Sequence, residues 1–216
     1  MKSFQYNKCR NHGTLFRPIG GIMKKKFDTK AIVITGLLLA LEIVLQTIGN
    51  YLQIGPANIN LSLVPVVLAA VLCGPISGGI LGFFNGLMAL LSPSTLAVFM
   101  PLHPFGTVLV CLLKCTLAGI GSAYIFRFLQ KKNQLVALIL ASIAVPVINT
   151  GLFALGSVIF FQDFLNSGIS EQFPNAGAFL IFGVIGFNFL IEVATTTIVS
   201  PTIGMILLKR EQKTAQ

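Results

Sequence analysis

The positions of the basic residues constrain this chain more than any other feature. Fourteen of its fifteen Lys and Arg residues lie before residue 31, between Arg127 and Lys132, or after residue 208. Between these clusters the chain is apolar: 55% of all residues are hydrophobic and 10% are charged, too few polar groups to cover a soluble domain. Because Lys and Arg collect at the cytoplasmic ends of membrane spans, the pattern predicts a membrane protein with three cytoplasmic segments and both termini inside.

Six apolar runs predict an all-α membrane protein, a bundle of six transmembrane helices. The runs are Ala31 to Tyr51, Leu61 to Cys73, Ile76 to Leu91, Phe105 to Phe128, Leu135 to Phe161 and Ala178 to Leu208. About 20 helical residues cross the hydrocarbon, so the second and third runs are short and should be tilted or shielded by neighbours. Four spans lie between the amino-terminal cluster and Arg127. Because that number is even, the cluster from Arg127 to Lys132 lies on the same side of the membrane as both termini. We predict a disordered basic arm over residues 1–29, a membrane domain over 30–210 and a cytoplasmic tail over 211–216.

The charge and the motif content exclude several classes of function. A net charge of +9 would suggest a nucleic-acid partner for a soluble protein, but here the basic residues flank apolar spans, where anionic lipid headgroups explain them. The chain has two His residues, no zinc-type cysteine spacing and no Walker A, H-E-x-x-H or G-x-S-x-G motif. We therefore expect a binding protein of the lipid bilayer, with no metal, cofactor, nucleic-acid partner or enzymatic activity of its own.

Three segments without Lys or Arg are predicted to lie on the outer face: Asn50 to Asn60, Ser92 to Pro104 and Gln162 to Gly177. Their Pro, Gly, Asn and Ser content favours turns and shaped loops rather than helix. On the inner side, Gly74-Pro75 makes a tight link between the second and third spans. We expect a small molecule to be caught at the outer face, with Asn50 to Asn60 as a gate over it.

Three ionisable residues lie well inside the predicted spans: Glu42, Lys114 and Glu192. Each would cost roughly 2.5–3.5 kcal/mol at a lipid-facing midplane, so each should face the bundle interior or water. Counting the helical rise from the span ends gives all three a similar depth. Two interpretations of Lys114 stay open: a structural ion pair with one of the glutamates, or a contact with an anionic group of a ligand. Both hold if the ligand competes for the lysine, and we expect Glu192 to be among the substrate-binding residues.

Other polar residues extend this layer. Asn85, Asn149 and Asn188 lie on three different runs, and Thr150 follows the second of them. A single Asn in a span often only bridges helices, worth about 0.6 kcal/mol, whereas three in one layer favour a polar pocket. His103 either rims that pocket or is simply solvated in its loop.

Small residues supply a further pattern. Gly36 and Ala40 form a small-xxx-small pair in the first run, and Gly78, Gly82 and Gly86 repeat at spacing four in the third. Such faces let helices approach closely. For the glycine ridge of the third run, packing within the bundle and docking onto a separate membrane protein both stay open.

These features resemble a known family, the substrate-binding S components of energy-coupling factor (ECF) vitamin transporters. The likeness covers Lys30 to Arg210 and rests on the six-span plan and two runs, INLSLVPVVLAAVLCGPISGGILGFFNGL from Ile59 and HPFGTVLVCLLKCTLAG from His103. The resemblance implies a multi-pass protein of the bacterial cell membrane, a vitamin bound near the outer face, and docking on a transmembrane coupling protein driven by two ATPase subunits. The family's docking motif in the first helix matches Gly36 and Ala40, with Gly in place of the usual first Ala.

Within this family, Pro104 to Thr107 with Lys114, and Val147 to Gly151, look most like the pantothenate subfamily. Pantothenate carries one carboxylate, two hydroxyls and an amide, which suit one buried Lys and several Asn and Thr side chains. Folate and riboflavin are the alternative vitamins, although a chain with no Trp and three Tyr offers little aromatic stacking. A self-sufficient secondary transporter is the alternative class; it would need inverted repeats around a midplane site, and no internal repeat is evident.

Overall fold

The computed structural model describes residues 29–51, 53–54, 57–58 and 60–214, and this part of the chain is mainly helical. Its α-helices are α1 Thr29–Tyr51, α2 Leu63–Leu72, α3 Pro75–Leu90, α4 Met100–Leu102, α5 Pro104–Leu129, α6 Gln134–Phe160, α7 Gln162–Ser167, α8 Ala176–Ala178 and α9 Gly186–Thr214. Two π-helices, Thr95–Phe99 and Phe179–Ile185, precede α4 and α9. Strands β1 Gln53–Ile54 and β2 Ala57–Asn58 form a short antiparallel hairpin. The predicted amino-terminal arm lies outside the described residues, apart from Thr29.

Each predicted apolar run forms a helix, but the described residues do not confirm six crossings. Four helical segments are long and apolar enough to span a membrane: α1, α5, α6 and Ala176–Lys209. A fifth span results if α3 and Thr95–Leu102, which meet at a 65° bend, cross together. The ten residues of α2 extend over about 15 Å, half the hydrocarbon thickness. The protein is thus a multi-pass helical membrane protein with four or five candidate spans by length and composition.

Helix α2 lies at the centre of the bundle, where it contacts α1, α3, α5, α6 and α9. All ten of its residues are buried. Its sequence LVPVVLAAVL is apolar on every face, which is typical of a helix enclosed by others. Leu68 of α2 shares one core cluster with Phe126 of α5 and Leu138 of α6. This enclosure confirms that the short second run is shielded by its neighbours.

Three contacts show that the basic segments in the described residues share one end of the bundle. Thr35 of α1 donates a hydrogen bond to a serine in the first turn of α3 at 3.0 Å. The Arg127 guanidinium lies over Gly74, whose φ of 97° permits the tight α2–α3 turn. Leu138, near the start of α6, contacts Gly204, near the end of α9. The charge pattern predicts this grouping, and which side of the membrane it faces stays a prediction.

Two of the three segments predicted to form turns are partly helical, so that prediction is wrong for them. Ser92 to Pro104 contains a π-helix and α4, and Gln162 to Gly177 contains α7. For the segment Ser92 to Pro104 the physical reason is the position of the prolines: Pro101 and Pro104 lie in the first turns of α4 and α5. The first turn of a helix needs no hydrogen bond from the Pro nitrogen, and the fixed φ of Pro suits it.

The glycine ridge of α3 packs inside the bundle against the backbone of α5. A Cβ atom at Gly78 would lie 2.7 Å from the carbonyl oxygen of Gly119, and one at Gly86 would lie 2.5 Å from that of Cys111. A Cβ at Gly82 would overlap the Cys115 carbonyl. Small residues at spacing four let the two backbones touch. Of the two interpretations left open for this ridge, the structure therefore bears out internal packing.

Candidate ligand-binding site

Lys114 lines a small cavity of ≈ 40 Å³ next to the π-helix that precedes α4. Helix α5 contributes Lys114 together with Thr107, Val110 and Cys111. Their spacing of i, i+3, i+4 and i+7 puts all four on one face of α5. The other side of the cavity is formed by Thr95 and Phe99 of the π-helix and by Phe153 and Phe161 at the end of α6.

Aromatic rings centred on Phe99 cover the cavity, and we call Phe99, Phe153, Phe161 and Phe164 the aromatic cover. The Phe99 ring lies 5.8, 5.1 and 5.4 Å from the other three, with interplanar angles of 62–86°. Aromatic rings prefer such tilted and edge-to-face contacts. Thr107 Oγ1 donates a hydrogen bond to the Phe99 carbonyl at 2.8 Å and so ties the cover to α5.

The Lys114 ammonium faces this cover rather than a carboxylate. Its Nζ atom lies 5.1 Å from the centroid of the Phe153 ring, a cation–π distance. Within the described residues, no carboxylate reaches it at salt-bridge distance. Glu192 is the acidic group that attracts the ammonium electrostatically, and Glu42 is not among the groups that do so. Of the two glutamates considered as partners for Lys114, Glu192 is therefore the neighbour.

Helix α9 brings two buried polar side chains to this layer. Asn188 and Glu192 are one helical turn apart and are 9% and 8% exposed. The Glu192 carboxylate accepts a hydrogen bond from the backbone N–H of Asn60, which ties α9 to the segment before α2. Among the described residues, Asn188 Oδ1 has no hydrogen-bond partner. A buried amide oxygen without a donor is available to a ligand.

The other residues proposed from the sequence have different surroundings. Asn149 is buried, and its Oδ1 accepts a hydrogen bond from the thiol of Cys115, the residue after Lys114, at 3.3 Å. Thr150 is half-buried on α6. Asn85 belongs to a separate polar cluster around Ser62. His103 Nδ1 accepts from the Gly106 N–H at 3.0 Å and thereby caps α5. Of the predicted residues, Lys114 alone lines the cavity.

Sequence reasoning missed most of the cavity lining. The α5 members were detectable, because Thr107 and Cys111 precede Lys114 by seven and three residues on the same helical face. The aromatic cover had no comparable signal, since its rings come from three separate elements and the chain has eighteen Phe residues.

The cavity is too small for a metabolite while the aromatic cover is in place. A water molecule needs about 10–15 Å³ of such space, so ≈ 40 Å³ suits a few waters. Small-molecule sites usually measure roughly 300–1,000 Å³. A metabolite bound beside Lys114 would therefore require the cover to move.

Comparison with known proteins identifies the family. A search of curated proteins found no match. The family model described as ECF transporter, substrate-specific component, matches residues 30–204, which include α1 from its second residue and most of α9. The polar residues Lys114, Asn149, Asn188 and Glu192 fall within that range. The chain therefore belongs to the substrate-specific components of ECF transporters: it is a membrane-embedded substrate-binding subunit and not an enzyme, and ATP hydrolysis takes place in separate partner subunits.

Proposed function

We propose that this subunit binds pantothenate with high affinity, for import across the bacterial cell membrane. The observation that carries the proposal is the half-buried Lys114, which lines the cavity with no carboxylate at salt-bridge distance in the described part of the chain. A charge withdrawn from water is costly unless it is paired directly, and the ligand carboxylate would supply that direct pairing, whereas Glu192 attracts the ammonium from beyond salt-bridge distance. Asn149, Thr150, Asn188 and Glu192 would then hydrogen-bond the hydroxyl and amide groups.

The geometry of the aromatic cover favours pantothenate over folate or riboflavin. Those two vitamins carry extended flat rings, which bind best between parallel aromatic faces. The rings around Phe99 instead cross one another at 62–86°. Such tilted faces suit a branched aliphatic molecule, and the dimethyl group of pantothenate is of that kind.

We further propose six membrane crossings with both termini in the cytoplasm. The grouping of the basic segments at one end of the bundle supports this topology. Helix α2 would be the short crossing, and its ten buried residues keep it away from lipid. Irregular backbone at its ends is tolerable because protein surrounds it.

The surface that docks on the transmembrane coupling protein is proposed to be the face of α1 around Gly36 and Ala40. Both residues are exposed, and a Cβ at Gly36 would meet no atom within 4 Å. Their neighbours Val33 and Leu37 are 56% and 67% exposed. Unlike the ridge of α3, this small-residue face is open to a partner helix. Two ATPase subunits would act through the coupling protein.

Binding of vitamins to the purified chain tests the ligand assignment. We expect calorimetry in detergent to show tight binding of pantothenate and none of folate or riboflavin, and native mass spectrometry to show a retained pantothenate mass. Tight binding of another vitamin would reject pantothenate but keep the family function. Uptake by liposomes that contain this chain alone would instead favour a secondary transporter.

Phe99→Ala should speed the release of bound pantothenate by about tenfold or more, because each lost aromatic contact is worth roughly 0.5–1.5 kcal/mol. Stopped-flow measurement of release is the assay. Phe105→Ala removes an equal ring that is 70% exposed and should leave the rate unchanged. Equal release rates in Phe99→Ala and the unaltered protein would show that the cover does not control access.

The gate predicted over Asn50 to Asn60 stays a prediction, because Leu52, Gly55, Pro56 and Ile59 lie outside the described residues. Crosslinking this segment to Ser92 to Pro104 should trap bound ligand or exclude free ligand. Unchanged exchange of ligand after crosslinking would rule the gate out.

A further inference from the structure

A second polar cluster lies where α1, α3 and the segment before α2 meet. It consists of Glu42, Gln46, Asn60, Ser62 and Asn85, and we call it the Glu42 cluster. Glu42, Ser62 and Asn85 are 0% exposed, and Gln46 is 5% exposed. Glu42 and Gln46 are four residues apart and share one face of α1. None of the five lines the cavity beside Lys114.

Side-chain oxygens crowd together in the Glu42 cluster. Ser62 Oγ lies 2.6 Å from Gln46 Oε1 and 2.5 Å from Asn60 Oδ1. It also accepts a hydrogen bond from Asn85 Nδ2. One hydroxyl has one proton, so Ser62 donates to only one of the two carbonyl oxygens at a time. The cluster is therefore rich in oxygen atoms that lie close together around the Ser62 hydroxyl.

The Glu42 carboxylate has no donor of its own. Within the described residues, neither Oε1 nor Oε2 has a hydrogen-bond partner. The Asn85 side chain lies within hydrogen-bond reach of the carboxylate, but its amide nitrogen donates to Ser62. The Lys114 ammonium attracts the Glu192 carboxylate electrostatically and is not among the groups that affect Glu42. A fully buried carboxylate in this position is costly unless a proton or a positive partner neutralises it, and the described side chains supply no positive partner.

We propose that the Glu42 cluster is a binding site for a monovalent metal cation, for which Na⁺ is the probe. Carboxylate, amide carbonyl and hydroxyl oxygens are the ligands that hard cations prefer. The single carboxylate balances one positive charge, whereas a divalent ion would leave a net charge buried in the bundle. The bound ion would link α1 to α3 and to the start of α2. This proposal does not depend on which vitamin the protein binds.

Thermal unfolding of the purified full-length chain, without vitamin, tests the site. We expect NaCl to raise the Tm relative to choline chloride at the same ionic strength and pH. At a Na⁺ concentration tenfold above its Kd, the rise should be about 3–6 °C for a chain of this size. Glu42→Gln keeps the shape of the side chain and removes the charge, so it should abolish the difference between the two salts.

Glu171→Gln is the matched control, because it removes one carboxylate from an exposed position and should keep the full response to Na⁺. Should Glu42→Gln fail to fold, Asn85→Ala retains the carboxylate and should shift the Na⁺ midpoint to higher concentration. Equal Tm values in both salts for the unaltered protein overturn the proposal, as does a full Na⁺ response in Glu42→Gln. A Tm that depends on pH but not on the salt would assign a proton to Glu42 instead of a metal ion.

Discussion

The double substitution Gly36→Leu, Ala40→Leu should abolish ATP-driven vitamin uptake while vitamin affinity stays unchanged. Residues four apart lie on the same side of a helix, and two small side chains leave a groove for the backbone of a partner helix. Leu would fill that groove without adding charge. The bundle itself should tolerate the change, since both residues are exposed and a Cβ at Gly36 meets nothing within 4 Å. ATP hydrolysis takes place in separate partner subunits, so we expect its energy to reach this chain through such a contact.

The decisive measurement compares vitamin binding by the purified chain with uptake into liposomes that contain the coupling protein and both ATPase subunits. Gly151→Leu is the matched control, because Gly151 is an exposed helical glycine on α6 that also has open space around its Cβ position. It should keep both binding and uptake. Gly82→Leu should lose both, because its side chain would overlap the Cys115 backbone of α5.

Two outcomes would contradict the docking role. Loss of binding together with uptake in the double variant would mean that the α1 face packs within the protein. Normal uptake, with binding intact, would mean that the coupling protein contacts a different surface.

The positions of the long helices could be predicted because hydrophobic runs and charge placement act locally along the chain. The run Ala31 to Tyr51, for example, corresponds to α1 Thr29–Tyr51. Helix α4 could not be predicted in this way, since Pro either starts or breaks a helix depending on its position, and here Pro101 lies in the first turn. The six crossings stay a prediction, because the ten residues of α2 are too short to show by length that they cross, and their enclosure by five helices is a property of the packed bundle.

The candidate site was predictable in part, for a related reason. The cost of burying charge singles out Glu42, Lys114 and Glu192 in an apolar chain. This cost does not say which of the three residues are neighbours, and the sequence places them in one layer only because their depths along the helices are similar. The structure separates them, with Lys114 beside Glu192 and with Glu42 in a cluster of its own. That separation depends on how α1, α5 and α9 are rotated about their axes, which the sequence pattern leaves open.

Lys114→Met should weaken pantothenate binding by about 1.5–3 kcal/mol, roughly ten- to 150-fold in Kd, which is the range for a hydrogen bond to a charged group. Met is unbranched and of similar length, so it should fill the space beside Phe153 while it removes the ammonium. Calorimetry gives the affinity, and thermal unfolding of the same sample shows whether the variant is folded. Unchanged affinity in a folded variant would reject the role of Lys114 in binding.

A second ligand distinguishes a direct contact from a structural effect. In the alcohol analogue of pantothenate, a hydroxymethyl group replaces the carboxylate, so this analogue lacks the group that Lys114 is proposed to bind. The unaltered protein should therefore prefer pantothenate, and Lys114→Met should bind the two molecules almost equally. The four affinities, two proteins with two ligands, form a thermodynamic cycle that isolates the interaction between the ammonium and the carboxylate. Equal losses of affinity for both molecules would instead mean that Lys114 supports the shape of the site through Phe153 and Glu192 and does not touch the carboxylate.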